Sequence, residues 1–273
     1  LKQSCDQMAI GVGPRSHADC PHRVTAECYS PDDSASLNEV ISAAYRQVFG
    51  NAHVMDFERS TELEAQLCNG DLDVRNFIKT DATYRDANVD WEQTQKLISK
   101  NAKKKTLNIT QGFLGSDENS FTTTLGREGS DYTAAIFAYC LSAESVTIWK
   151  DVPGVLNADP RYFENAVLLN QISYREAIEL AFYGATVIHP KTLQPIQRKE
   201  IPLFVKSFLN PLLPGTRVAK GDDLEPKTSC LIVKKNQLLI SLSSIDFSFI
   251  MEENISEIFS LFHQFKMKVS LIQ

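Results

Sequence analysis

No stretch of this sequence is apolar for long enough to cross a bilayer. Leu1 to Arg15 also lacks the continuous apolar core of a secretion signal. The six cysteines form no C-x-x-C pair, and scattered thiols of this kind suit the reduced state of a cytoplasm. His17, Cys20, His22 and Cys28 crowd together, but their spacings match no standard zinc template, so no metal site is expected there. Positive charge is not in excess: the net charge of −6 argues against non-specific binding of nucleic acid. The phosphate-loop pattern G-x-x-x-x-G-K-[ST] is missing. A G-x-G occurs in Ile10-Gly11-Val12-Gly13-Pro14-Arg15, but no strand is expected before it and Pro14 interrupts the helix that should follow. That segment reads as a loop. The chain of 273 residues, with 43% hydrophobic and 23% charged residues, has the composition of a globular protein of one large domain or two smaller ones.

Residues 1 to 33 read as polar and irregular. Three helical stripes are expected next: Leu37 to Phe49, ended by Gly50; Phe57 to Cys68, ended by Gly70; and a third from Asp71 through Ile78. Beyond them strand and helix alternate. Helices are expected over Trp91–Ser99, Asp131–Leu141, Tyr174–Tyr183 and Thr192–Gln197. Strands are expected over Lys105–Thr110, Val146–Trp149 and Leu203–Lys206. Alternation of this kind implies an α/β fold with a mostly parallel sheet. From Cys230 the rhythm changes. A strand over Gln237–Ser243, a helix capped by Asn254 and a strand over Lys268–Ile272 give a βαβ order.

The densest stretch is Thr122-Thr123-Thr124-Leu125-Gly126-Arg127-Glu128-Gly129-Ser130-Asp131. Its glycines let the backbone approach a ligand, and it opens a helix whose first turn favours an anion. Arg127 adds a forked donor for carboxylate or phosphate. A glycine loop with an ordinary helix cap would have the same spacing.

This stretch resembles the substrate loop of aspartate kinases, in the amino-acid kinase family. The resemblance extends through Asn108 to Gly115, Val146 to Gly154, Asn157 to Arg161, Phe182 to Pro190 and Ile201 to Val205, and covers about Lys79 to Gln273. It implies a three-layer, mostly parallel α/β sheet and transfer of the ATP γ-phosphoryl group, with Mg2+, to the β-carboxylate of aspartate. Arg127, Glu128, Gly129 and Ser130 would hold the substrate, and Asp131 would be catalytic. Lys150, Asp151, Leu156, Arg161 and Thr186 would hold the nucleotide. Family members often carry a threonine at the position of Lys150 and a lysine at that of Thr186. His189 is expected to be packed and to take no part in catalysis.

Two further resemblances shape the expected domains. Ala43 to Arg59 and Glu64 to Ile78 resemble the phycobilisome linker, and Ile10 to Arg15 is similar to the core-membrane linker of that antenna. Residues 231–273 resemble the first half of an ACT domain. Three parts are therefore expected: a helical linker-like fragment over 1–78, the C-terminal portion of a kinase domain over 79–230, and a partial ACT unit over 231–273. Such a chain would be a chimera. The kinase family's lysine-phenylalanine-glycine-glycine loop does not occur before Thr122, which implies a missing lobe and no turnover. The alternative function is that of a structural linker binding phycobiliproteins through residues 1–78. Aspartate is the expected small-molecule partner, self-association through the ACT-like part is expected, and the expected location is the cytoplasm.

Overall fold

A computed structural model describes residues 10–14, 24–29, 73–101, 110–185, 187–207, 209–221, 223–243 and 251–272. The expected helices over Leu37–Phe49 and Phe57–Cys68 and most of the strand over Lys105–Thr110 lie outside these. Among the described residues, six strands form one sheet. They are β1 (Ile10–Pro14), β2 (Val24–Tyr29), β5 (Ser145–Lys150), β6 (Gln171–Ser173), β7 (Leu203–Ser207) and β8 (Thr216–Ala219). Their order across the sheet is β1-β2-β5-β7-β8-β6. The centre is parallel, with β2, β5 and β7 side by side, and β6 runs parallel to β8. The β1–β2 and β7–β8 pairs are antiparallel. The fold is therefore α/β with a mostly parallel sheet, as the alternation implies.

β5 is the axis. Val146, Ile148 and Trp149 are buried, and only Lys150 at its end is partly open. A buried, mostly apolar run rich in β-branched residues suits a strand covered on both faces. Two short strands missing from the sequence reading, β3 (Leu114–Ser116) and β4 (Thr122–Thr124), form a separate antiparallel hairpin.

Among the described residues, four helices belong to this part: α1 (Trp91–Asn101), α2 (Gly129–Leu141), α3 (Tyr174–Tyr183) and α4 (Pro190–Arg198). α2 is buried along most of its length, and Ala134, Ala135 and Ala138 are wholly enclosed. It packs on β2, β5 and α4. Ser142 ends it in the left-handed conformation (φ 50°), a helix stop that reverses the chain within a few residues. β5 then runs back along α2. The first turn of α2 and the last residue of β5 consequently share one end of the layer.

Three expectations are corrected. Ile10–Pro14 is a strand, not a loop: β1 lies at the sheet edge, where a terminal proline forfeits no ladder bond. Val24–Tyr29 is likewise a strand, inside the sheet. The helix expected from Asp71 to Ile78 is a single 3-10 turn, Val74–Asn76. Asp73 starts it by accepting the N–H of Arg75 at 2.9 Å, and Phe77 and Ile78 then leave it for the core.

Among the described residues, packing continues across Ile78. Val74, Phe77 and Ile78 share a core with Ile98, Leu125, Ile136 and Phe137. The N–H of Val74 donates to Oε1 of Gln111 (3.2 Å), and that of Ser116 donates to the carbonyl of Ile78 (3.0 Å). A larger core joins Ile148, Leu169, Ile172, Leu193, Val205 and Val218.

The chain divides into two compact units, Leu1–Ile232 and Val233–Gln273. In the second, α5 (Glu252–Gln264) is the only regular element among the described residues. Asn254 sits inside its first turn and accepts the N–H of Met251 (3.0 Å), so Met251 is the cap. Gln237–Ser243 and Lys268–Ile272 pair in no ladder among the described residues, although Ser270 bridges Lys234 and Gln237 at 2.7 and 3.0 Å.

Candidate active site

The chain reversal between α2 and β5 sets the geometry. Asp131, in the first turn of α2, is 3% exposed, and its Oδ2 lies 2.9 Å from Nζ of Lys150. Oε2 of Glu128 is 3.9 Å from the same ammonium. A cation at the carboxyl end of a buried parallel strand thus meets two carboxylates at a helix start. Ligands of open α/β sheets bind beyond this end.

The loop before α2 is held in unusual backbone geometry. Gly126 has φ +81°, and Glu128, the residue capping α2, has φ 52°. A left-handed glutamate is costly, because its Cβ crowds the following carbonyl. Gly129 is needed for close approach: a Cβ there would meet the Phe113 ring at 2.8 Å. The hydroxyl of Thr133 ties the loop to the preceding segment. It accepts the N–H of Phe113 (3.0 Å) and donates to the carbonyl of Gly129 (2.9 Å).

The electrostatics follow from burial. The carboxyl of Glu128 is pushed above the usual carboxylate range by desolvation, and Asp131 adds to the rise. Lys150, Arg127 and the backbone N–H of His189 pull the other way. His189 caps α4: its Nδ1 accepts the N–H of Lys191 at 3.2 Å. Its imidazole is held below its usual range, first by burial and then by Arg127 and Lys191. Histidine at this position acts as a helix cap rather than as plain core packing.

Among the expected site residues, Glu128, Gly129, Ser130, Asp131 and Lys150 come together. Arg127 is exposed and makes no ion pair among the described residues. Asp151 is exposed at the end of β5. Leu156 pairs with Leu168 in the loop that follows. Arg161 is exposed and committed to Asp159, with 2.6 Å between Nη2 and Oδ2, and it also lies over the Tyr162 ring. Thr186 lies outside the described residues. Sequence reasoning missed Asp86 and Lys191, which form an ion pair beside the Gly126 loop. Their separation in sequence leaves no local signal.

Two carboxylates with hard oxygen donors suit Mg2+, which takes one or two carboxylates and completes its shell with phosphates and water. Among the described residues no cluster of three His, Cys, Asp or Glu side chains could hold a metal by itself.

The chain is similar to known kinases. It is 35% identical to lysine-sensitive aspartokinase 3 of Escherichia coli over 226 residues, 82% of this chain and 49% of that protein. It is 44% identical over 112 residues to the chloroplastic bifunctional aspartokinase/homoserine dehydrogenase of Daucus carota, covering 41% of this chain and 12% of that one. Among solved structures, E. coli aspartokinase III in complex with aspartate and ADP superposes with a TM-score of 0.57 and 29% identity, over 86% of this chain and 52% of that one. The same enzyme with lysine and aspartate gives a TM-score of 0.56 and 30% identity, over 85% of this chain and 53% of that one. The chain spans about half the length of the E. coli relative.

The resemblance of residues 1–78 to a phycobilisome linker, and the chimera and phycobiliprotein contact it implied, find no support. β2 is hydrogen-bonded into the same sheet as β5, from Thr25 opposite Ser145 to Tyr29 opposite Trp149. The amino acid kinase family model matches residues 4–207, which hold five of the six strands of that sheet and the site at the end of β5, and the chain belongs to the amino acid kinase family.

Proposed function

We propose that this chain carries an aspartate kinase site in which Arg127 receives a carboxylate of aspartate and Lys150 receives phosphate of ATP. The observation that carries the reading is the Lys150–Asp131 pair, 2.9 Å long, at the carboxyl end of β5 and the first turn of α2. Similarity to an aspartokinase solved with aspartate and ADP supports the choice of ligands.

Phosphoryl transfer depends on positioning and on neutralising charge. Gly129 and Ser130 bring backbone close to the substrate. Glu128 and Asp131 orient the Lys150 ammonium, and Asp131 is the carboxylate best placed to share it with the reacting groups. Mg2+, held by Asp131 and Glu128 together with the phosphates, would supply further neutralising charge. Asp151, Leu156, Arg161 and Thr186 form the remaining nucleotide side. The free thiols Cys140 and Cys230 support a reducing, cytoplasmic setting. Residues 231–273 are an ACT-like unit in this reading.

Titration calorimetry with Mg2+–ADP and with aspartate tests it. Arg127→Ala should weaken aspartate at least tenfold and leave ADP nearly unchanged, because truncating one partner of a charged hydrogen bond costs about 1.5–3 kcal/mol. Lys150→Met should do the reverse. Binding of neither ligand, or equal loss of both in each variant, would refute the assignment.

A further inference from the structure

Asp86 and Lys191 are 105 positions apart in sequence, and nothing in the site reading uses them. Asp86 closes a turn in which its N–H donates to the carbonyl of Thr83 at 3.3 Å. The residues around it are bonded to Thr124, the end of β4. The N–H of Thr124 donates to the carbonyl of Tyr84 (2.8 Å), its hydroxyl donates to the carbonyl of Arg85 (3.0 Å), and the N–H of Ala87 donates back to the carbonyl of Thr124 (2.9 Å). Two residues further on is Gly126, where a Cβ would run into the Asp86 carboxylate. That carboxylate therefore lies against the loop backbone, and Lys191 of α4 pairs with it. The start of α4 meets the loop again at Glu128, through the backbone N–H of His189. Arg127 lies between these two anchors with its guanidinium exposed.

We propose that the Asp86–Lys191 pair is a latch that positions the Gly126–Glu128 loop and so sets the affinity of the anion received by Arg127. The affinity half of this proposal rests on the reading of the site given above. Both are positioning residues: neither needs to touch the ligand. The pair joins an 83–86 turn already fixed to β4 with a helix that is part of the main core. Releasing it leaves Gly126, the most permissive residue of the loop, without its neighbour. A loop that is ordered only part of the time binds its ligand more weakly by the fraction of time it is ordered. Asp86 is exposed and Lys191 half-buried, so the effect of the pair is modest.

The test uses the full chain and the variants Asp86→Asn, Lys191→Met and the exchanged pair Asp86→Lys with Lys191→Asp. Two properties are measured: amide hydrogen exchange, and titration with aspartate and with Mg2+–ADP. Each single variant should speed exchange across Leu125–Gly129 about two- to fivefold and leave α3 unchanged, an effect the size expected of a weak, exposed pair. The exchanged pair should recover most of the difference. Aspartate affinity should fall by a similar factor and ADP affinity should hold. Unchanged loop exchange, or tighter aspartate binding in Asp86→Asn, would overturn the latch. If the parent binds neither ligand while the exchange effect is present, the site reading fails and the latch on the loop stands.

Discussion

Glu128 combines two costs at one residue. Its backbone is left-handed, and its carboxyl is buried near another acid. Because the folded chain holds the Glu128 proton to higher pH than the unfolded chain does, folding takes up protons. The stability tied to this group is present at low pH and is lost as pH rises from the ordinary carboxylate range through the raised value. Glu128→Gln should flatten that part of the profile, and urea denaturation from about pH 4 to about pH 8 reads it. A parent and a variant with parallel profiles would contradict the assignment. Thr216 makes the opposite case, a polar group fully satisfied inside the core. Its hydroxyl accepts the N–H of Val155 (2.8 Å) and donates to the carbonyl of Leu169 (2.6 Å), fixing the loop that leaves β5. Thr216→Val keeps the shape and strands both backbone groups. We expect a loss of about 1–3 kcal/mol in chemical denaturation; a loss below about 0.5 kcal/mol would show that the loop finds other partners.

At the scale of elements, α2 is the piece that brings the site together, and Lys199 helps to hold its far end. Nζ of Lys199 donates to the carbonyl of Tyr139 (2.6 Å) and to the hydroxyl of Ser142 (3.0 Å), and it lies 4.3 Å from the Tyr139 ring centre. A cation there complements the helix dipole. Lys199→Met should cost about 1–2 kcal/mol and leave ligand affinity unchanged. A weakened affinity without a loss of stability would mean that the two ends of α2 are coupled. How far these elements were legible depended on local signals. α3 matches its expected bounds, and its ends are fixed locally: Ser173 and Glu176 cap each other and Gly184 stops it. β1 was misread because Gly11, Gly13 and Pro14 signal a loop in isolation, and only the pairing with β2 overrides them. β3 and β4 are three residues each and carry no period to detect. In the site, Glu128, Asp131 and Lys150 were found through the resemblance. The Asp86–Lys191 pair is a product of folding alone.

The whole molecule has two unequal units, and the smaller is short of cover. In Val233–Gln273, α5 has no fully buried residue, and Leu238, Leu239, Phe265, Leu271 and Ile272 are at least 69% exposed. Apolar surface gathered in one small unit promotes association. We expect light scattering to show mass rising with concentration, and the paired change Leu239→Glu and Phe265→Glu to reduce it. A constant mass in both chains would rule this out. The larger unit raises a different question, one of time. Its central strand β5 is flanked by β2, which comes far earlier in the chain, and by β7, which comes far later. A sheet ordered in this way cannot close on a ribosome until β7 and β8 have emerged. β5 can meet β2 and α2 early, but its other edge waits for β7, and ln k of folding falls as contacts become less local. The parallel centre that creates the site is thus also a source of long-range contacts, and of slow closure of the fold.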